Sequence, residues 1–194
     1  MKTEGLREAV KSTKALRHRM QEAASKALNR VGQGVMTEAS RKLRETYNVK
    51  AQDVKASMRI VLSAADAGEV IIKAKGPNLP LRHFKLTPKQ GNPAKPKPVK
   101  VAVKRGESKK IGSAFIHAGS GGVRVLKRKH PHGQSGRKRA RNAKKDYPEL
   151  PITELHGPAI PVMLNEPQVI KHIEDEAEDR MLKRLEHEVG RILK

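Results

Sequence analysis

Nine cationic side chains fall within 19 residues: Lys127-Arg128-Lys129, then Arg137-Lys138-Arg139 and Arg141, then Lys144-Lys145. Side chains of this type at this density neutralise phosphates. Each phosphate neutralised on a duplex releases counterions, so the binding expected is tight and steeply salt-dependent. Together with Arg124 these residues form the candidate polyanion contact. A solvated loop lying against an acidic protein ring accounts for the same charge run equally well. The imbalance reaches beyond the loop. Residues 70–145 hold 22 Lys or Arg and a single acid, Glu107, whereas the whole chain carries +22, so the remainder is close to neutral. A segment so lopsided is built to lie against nucleic acid, an acidic protein surface or an anionic membrane. Aromatics are 2% of the chain and Trp is absent, so bases of a single strand find few stacking platforms and phosphate contact without sequence reading is the form expected.

Other residue types capable of chemistry lack the spacing for it. His117, His130 and His132 invite a metal, but His-Pro-His has neither helical nor finger spacing and the chain has no cysteine. His172 and Glu176 stand one turn apart on a predicted helix, which helix geometry alone explains, and His187 lies between Glu186 and Glu188 as a solvated group. Gly119–Gly122 is too short to cradle a phosphate and no Gly-Lys-Ser/Thr follows it. Ser120 and Ser135 lack a nucleophile-elbow context. The paired carboxylates within Glu174–Asp179 read as an exposed helix face. No catalytic constellation emerges, and neither a cofactor nor a bound metal is expected.

The elements that carry these residues follow from hydrophobic periodicity. From residue 4 to 48, Leu6, Ala9/Val10, Thr13, Leu16, Met20, Ala23/Ala24, Ala27 and Val31 recur at steps of three and four, which predicts a long helix with one narrow apolar stripe. Thr3 is the candidate N-cap, and Gly32 and Gly34 predict a break before Val35, Ala39 and Leu43 resume the stripe. A short helical turn over 51–56 leads into strand-like segments at 57–63, 69–75, 83–86, 99–104, 113–118 and 123–127, with hairpins at 64–68 and 119–122. These predict a small antiparallel β-sheet. Residues 87–98 contain four prolines and, like the basic loop 128–145, are expected to lack regular structure. The Pro-rich stretch 147–164 is forced into an extended path. It reads as a linker packed along the sheet and as an edge strand for a neighbouring subunit, two roles that can hold together.

Residues 166–193 predict a second amphipathic helix, with Pro167 at its start. Ile170, Ile173, Ala177, Met181, Leu185 and Val189 line one face and are the candidate subunit interface; the acids of this helix concentrate in its first half. The fold class expected is α+β: a long N-terminal helical region (1–48), a basic antiparallel β domain (49–165) and a C-terminal amphipathic helix (166–194). An apolar fraction of 36% implies a small aliphatic core, with part of the chain ordering against partners. The N-terminus has no apolar signal region, and no apolar run approaches the roughly 20 residues of a membrane span, so a soluble protein made inside the cell is expected.

Four blocks of residues are more specific than any of this: Gly112-Ser113-Ala114-Phe115-Ile116, Gly122-Val123-Arg124-Val125-Leu126-Lys127-Arg128, Leu150-Pro151-Ile152, and Leu155-His156-Gly157-Pro158-Ala159-Ile160-Pro161. With the Glu/Arg-rich helix over 177–193, the Gly5-Leu6 opening and Ala27-Leu28-Asn29-Arg30, the chain resembles the prophage minor tail protein Z family of long non-contractile-tailed phages and prophages. The resemblance spans residues 5 to 193 and is most specific over 112–161. Residues 89–98 and 129–145 depart from the family pattern. The resemblance implies a non-enzymatic tail completion protein at the head-proximal end of the tail. Its neighbours there would be the tail terminator and the head–tail connector. It further implies a virion location after synthesis in the bacterial host cytoplasm, and a homo-oligomeric ring, commonly six-fold in related neck proteins. Packaged double-stranded DNA is a further expected partner; a membrane is not. Phe115 and Ile116 become expected core strand residues, and Gly157-Pro158 a turn. Two competing functions stand beside this one: a general, sequence-indifferent nucleic-acid-binding protein, and, more remotely, a metal-dependent enzyme built on His117, His130 and His132.

Overall fold

The structure, a computed structural model, describes residues 2–62, 68–91, 97–119, 122–128 and 152–192. It is α+β, with a long N-terminal helix, small antiparallel sheets and a C-terminal helix. The chain divides into two compact units. One comprises residues 1–43, 54–75 and 164–194, the other residues 44–53 and 76–163.

The first unit is organised on α1 (Lys2–Thr46). The expected break at Gly32 and Gly34 is absent: α1 runs unbroken through both, and it begins ahead of Thr3, which is a helical residue and not the cap. The glycines serve packing. A Cβ on Gly32 would stand 2.5 Å from Val70 Cγ1 and 3.0 Å from Ile60 Cδ1, so the missing side chain lets a hairpin approach the helix. The helix-propensity cost of about 1 kcal/mol per glycine is offset by burial of Val31, Val35, Ala39 and Leu43 around them. That hairpin follows α2 (Ala51–Ser57) and pairs β1 (Met58–Val61) with β2 (Ile71–Ala74), from Met58 opposite Ala74 to Val61 opposite Ile71.

The C-terminal helix α4 (Pro167–Ile192) runs antiparallel to α1. Its His172 reaches Glu38 at 3.2 Å, its Arg180 lies over Gly34, and Glu188 and Arg191 share a depression with Arg19, Glu22 and Lys26. The core of this unit is aliphatic: Ala23, Ala27, Val31, Val35, Ala39, Leu43, Val54, Met58 and Val169.

The second unit carries two three-stranded antiparallel sheets. One is β3 (Lys85–Thr87), β4 (Val99–Ala102) and β5 (Lys109–Ile111); the other is β6 (Ala114–Gly119), β7 (Gly122–Arg128) and β8 (Ile152–Glu154). The end of α1 is stitched to the first sheet. Asn48 N–H donates to Val103 O at 2.8 Å, its side-chain amide donates to Ala102 O and Lys104 O, and Arg105 N–H donates to Thr46 O. A 3-10 turn, Leu81–His83, presents buried Leu81 and leads into buried Phe84; His83 Nδ1 lies 3.0 Å from Asp53 Oδ2.

The proline-rich stretch turns back on its own chain. Ile152–Glu154 pairs with β7, Leu81 N–H donates to Leu155 O, and Gly157 N–H donates to Leu79 O. A Cβ on Gly157 would meet the Phe84 ring at 2.5 Å, so this glycine is set by close approach of an aromatic. Beyond it, Ile160–Leu164 forms a short helix, α3, that the four prolines had hidden; Pro161 stands in its first turn, where no backbone donor is needed.

Candidate polyanion-binding face

Strand register brings together cations that are far apart in sequence. In the β3-β4-β5 sheet, Lys100 stands directly opposite Lys110 on one side and Thr87 on the other, and Lys85 stands opposite Ala102. Val99 and Val101 are buried on the inner face, so Lys100 and its neighbours point outward. Directly opposed strand residues hold their Cβ atoms about 5 Å apart, and like charges so placed are destabilising. Counterions or a polyanion relieve that cost. Beside the pair, a shallow depression is lined by Asn48, Lys85, Thr87, Arg105 and Glu107, among others. Lys85, Lys100, Arg105, Lys109 and Lys110 are all exposed, against the single carboxylate of Glu107.

The second sheet adds to this. Arg124 is exposed and stands opposite exposed His117; Lys127, also exposed, stands opposite Ala114. Arg128 is half-buried, its guanidinium 4.7 Å from the centre of the Phe115 ring. Phe115 and Ile116 are therefore half-buried strand residues and not core, contrary to expectation; the buried aromatics among the described residues are Tyr47 and Phe84, and the inward residue of β7 is Val125. Of the candidate contacts, Arg124, Lys127 and Arg128 have defined positions. Lys129, Arg137, Lys138, Arg139, Arg141, Lys144 and Lys145 lie outside the described residues, as do His130 and His132. Lys85, Lys100, Arg105 and Lys110 escaped the sequence reading because they are spread as singles and pairs over 26 residues and not gathered in one run. Only the register makes them neighbours.

The α4 candidates split. Ile170, Ile173, Ala177 and Met181 are half-buried within their own unit, whereas Leu185 and Val189 are exposed.

One metal-competent cluster occurs among the described residues: Glu38, His172 and Glu176. Its chemistry favours guanidinium over metal. Arg41 Nε donates to Glu38 Oε1 at 2.9 Å, Arg180 Nε donates to Glu176 Oε2 at 2.8 Å, and Arg180 Nη2 is 3.6 Å from Glu38 Oε2. Burial alone would raise the Glu38 pKa. Hydrogen bonds from His172 and Arg41, with the charges of Arg41 and Arg180, outweigh it and hold this carboxyl below its ordinary value. The cluster is a structural ion network joining α1 to α4.

The sequence matches the family of the prophage minor tail protein Z over residues 3–194, nearly its whole length. The chain belongs to this family. Its members are phage minor tail proteins, which places the chain in the virion. No curated protein and no solved structure matches it. No helix among the described residues is long and apolar enough to cross a membrane.

Proposed function

We propose that this minor tail protein completes the head-proximal end of the tail. In that role it acts without catalysis in head–tail joining, beside the tail terminator and the connector, and its basic face holds the end of the packaged DNA. Copies would assemble there as a ring. The observation that carries the DNA part is the opposed pair Lys100 and Lys110 on an outward sheet face with Lys85 and Arg105 beside it. Such a face is stabilised by neutralisation, and phosphate supplies it without reading sequence.

The test is a prophage in which this reading frame is deleted and complemented by variants. Deletion is expected to yield full-length tails that fail to join heads, or joined particles that do not deliver DNA. Complementation with Lys85→Ala/Lys100→Ala/Lys110→Ala, or with the loop variant Arg137→Ala/Lys138→Ala/Arg139→Ala/Arg141→Ala, should restore joining poorly while the purified variant keeps its fold. Normal infectious particles from the deletion would discard tail completion.

The same face also fits a general nucleic-acid-binding protein. That reading requires the isolated chain to bind any duplex tightly at about 0.15 M salt with a steep salt slope. Weak binding under those conditions removes it and leaves the tail role standing.

A further inference from the structure

The β1–β2 hairpin has two faces, and the molecule uses one of them. Met58, Ile60, Ile72 and Ala74 alternate toward the core, where Ile60 and Val70 meet Gly32 of α1. The other face turns outward and is exposed: Arg59 stands opposite Lys73, and Val61 opposite Ile71. Lys75, whose N–H donates to Ser57 O, continues the ladder on the same side and is exposed too. Cations thus occupy one end of this face and aliphatic side chains the other. Like charges directly opposed repel, and aliphatic surface left in water is unfavourable as well. A phosphate backbone relieves only the first of these. A surface that is acidic and then apolar, in the same order, relieves both.

The outer side of α4 is such a surface. At about 100° per residue, Glu174, Asp175, Glu178, Leu182, Leu185 and Val189 fall within an arc of about 100°, on the side of the helix away from Arg180 and α1. All six are exposed. The acids come first and the aliphatic residues follow. Among the described residues, neither these acids nor Arg59, Lys73 and Lys75 have an ion-pair partner. The lengths also agree. Lys75 to Ile71 spans about 13 Å of strand, and Glu174 to Leu182 about 12 Å of helix. With the two axes aligned, Arg59, Lys73 and Lys75 lie over Glu174, Asp175 and Glu178, and Val61 and Ile71 lie over Leu182 and Leu185. The one cation in the α4 arc, Lys171, and the next outward residue of the hairpin strand, Glu69, fall beyond the two ends of this span.

One chain cannot make this contact with itself. Gly32 and Gly34 are about 200° apart around α1, and the first faces the hairpin while the second faces α4. The two outer surfaces therefore look away from each other across α1. We propose that the outer face of the β1–β2 hairpin docks on the outer, Glu174-to-Val189 side of α4 in a second copy of this chain. Each copy then offers one surface of each kind, so the contact repeats from copy to copy and closes into a ring when the rotation per step permits. The contact rests on the ring part of the proposed function for its place in the tail, but it is read in purified protein and so fails or holds separately from head–tail joining.

The experiment is disulfide crosslinking of the full chain, which has no cysteine of its own. Full-length Val61→Cys and Leu182→Cys proteins are mixed in equal amounts and mildly oxidised, and Ile71→Cys with Leu185→Cys serves as a second pair. All four positions are exposed, so helicity should match wild type. Each mixture is expected to give a dimer of twice 21.5 kDa on a non-reducing gel, while each protein alone stays monomeric. Val61→Cys/Leu182→Cys in one chain should give a ladder of higher multimers. Adding Arg59→Glu/Lys73→Glu to the hairpin protein should remove the mixed dimer, and Asp175→Lys/Glu178→Lys in its partner should restore it. Absence of the dimer from both mixtures would overturn the proposal. So would a dimer formed equally by Leu182→Cys alone, which would mark an α4-to-α4 contact, or a charge swap that restores nothing. If both mixtures fail to crosslink while Arg59→Glu/Lys73→Glu weakens duplex binding, the hairpin cations belong to DNA and the proposal falls.

Discussion

Gly32 and Gly34 sit two residues apart on α1 and face neighbours of different stiffness. At Gly32 the added carbon meets the branched, short side chain of Val70, which has no room to retreat; at Gly34 it meets the far end of Arg180, 2.9 Å away, which can swing aside. Gly32→Ala is therefore expected to destabilise: overpacking costs about 1–3 kcal/mol against a helix-propensity gain of about 1 kcal/mol. Gly34→Ala should be neutral or stabilising by up to about 1 kcal/mol, since it gains propensity without the clash. Urea unfolding of the two variants checks the contrast, and equal effects would refute the packing account. Both glycines were visible in the sequence and read as punctuation. What distinguishes them is a hairpin some 30–40 residues downstream, which no local rule contains.

At the scale of elements, α1 and α4 are held together by carboxylates buried among arginines. Glu38 is 6% exposed and is contacted from its own helix by Arg41 and from α4 by His172 and Arg180. Because its pKa in the folded chain lies below the ordinary 4.5, the unfolded state takes up the proton more readily. The stabilisation from Glu38 is thus fully present above the ordinary value and is lost as pH falls through the depressed one. Unfolding free energy measured from about pH 6 down to pH 3 should drop for wild type, and the part of that drop due to this carboxyl should be missing in Glu38→Gln. At neutral pH the same variant should cost about 1.5–3 kcal/mol, the range for hydrogen bonds to a charged group. A variant with wild-type stability and an unchanged acid limb would show that the network is incidental. Glu188 is also buried, but its arginine partners lie on its own helix, Arg184 at 2.9 Å and Arg191 at 3.3 Å.

The whole molecule segregates its charge. Residues 70–145 hold one of the chain's 20 acids, whereas α4 alone holds seven, and the central residues are almost uniformly basic. On the sheet face, phosphate contact predicts a definite salt behaviour. If wild type binds duplex at low salt, Lys85→Ala/Lys100→Ala/Lys110→Ala should weaken that binding for all sequences alike. It should also lower the slope of log K against log salt by about 0.9 per phosphate contact removed, so by up to about 2.7. A filter-binding series at several salt concentrations measures this. An unchanged slope would move the DNA contact off the sheet and onto the loop cations. Relief of the Lys100–Lys110 repulsion should meanwhile leave the variant at least as stable as wild type.

The one-dimensional code was sufficient for what depends on period and composition. The stripes of residues 4–48 and 166–193 announced two helices, because an apolar face at 3.6-residue spacing has few other uses. The β6–β7 hairpin was announced by alternation flanking four Gly/Ser residues. The basic character of the middle is a count, and family membership is carried by short residue blocks. Other features needed the folded chain. β5, Lys109–Ile111, has almost no strand pattern of its own and exists because β4 offers it a partner. α3 was masked by prolines whose missing donors fall where a helix start needs none. Lys100 faces Lys110, and Glu38 faces His172 across 134 positions, only because register and helix packing put them there. The stripe of α1 reads the same at Leu16 as at Ala27. Which half is covered depends on where α4 ends, and the length of one helix says nothing about its alignment with another until both are packed.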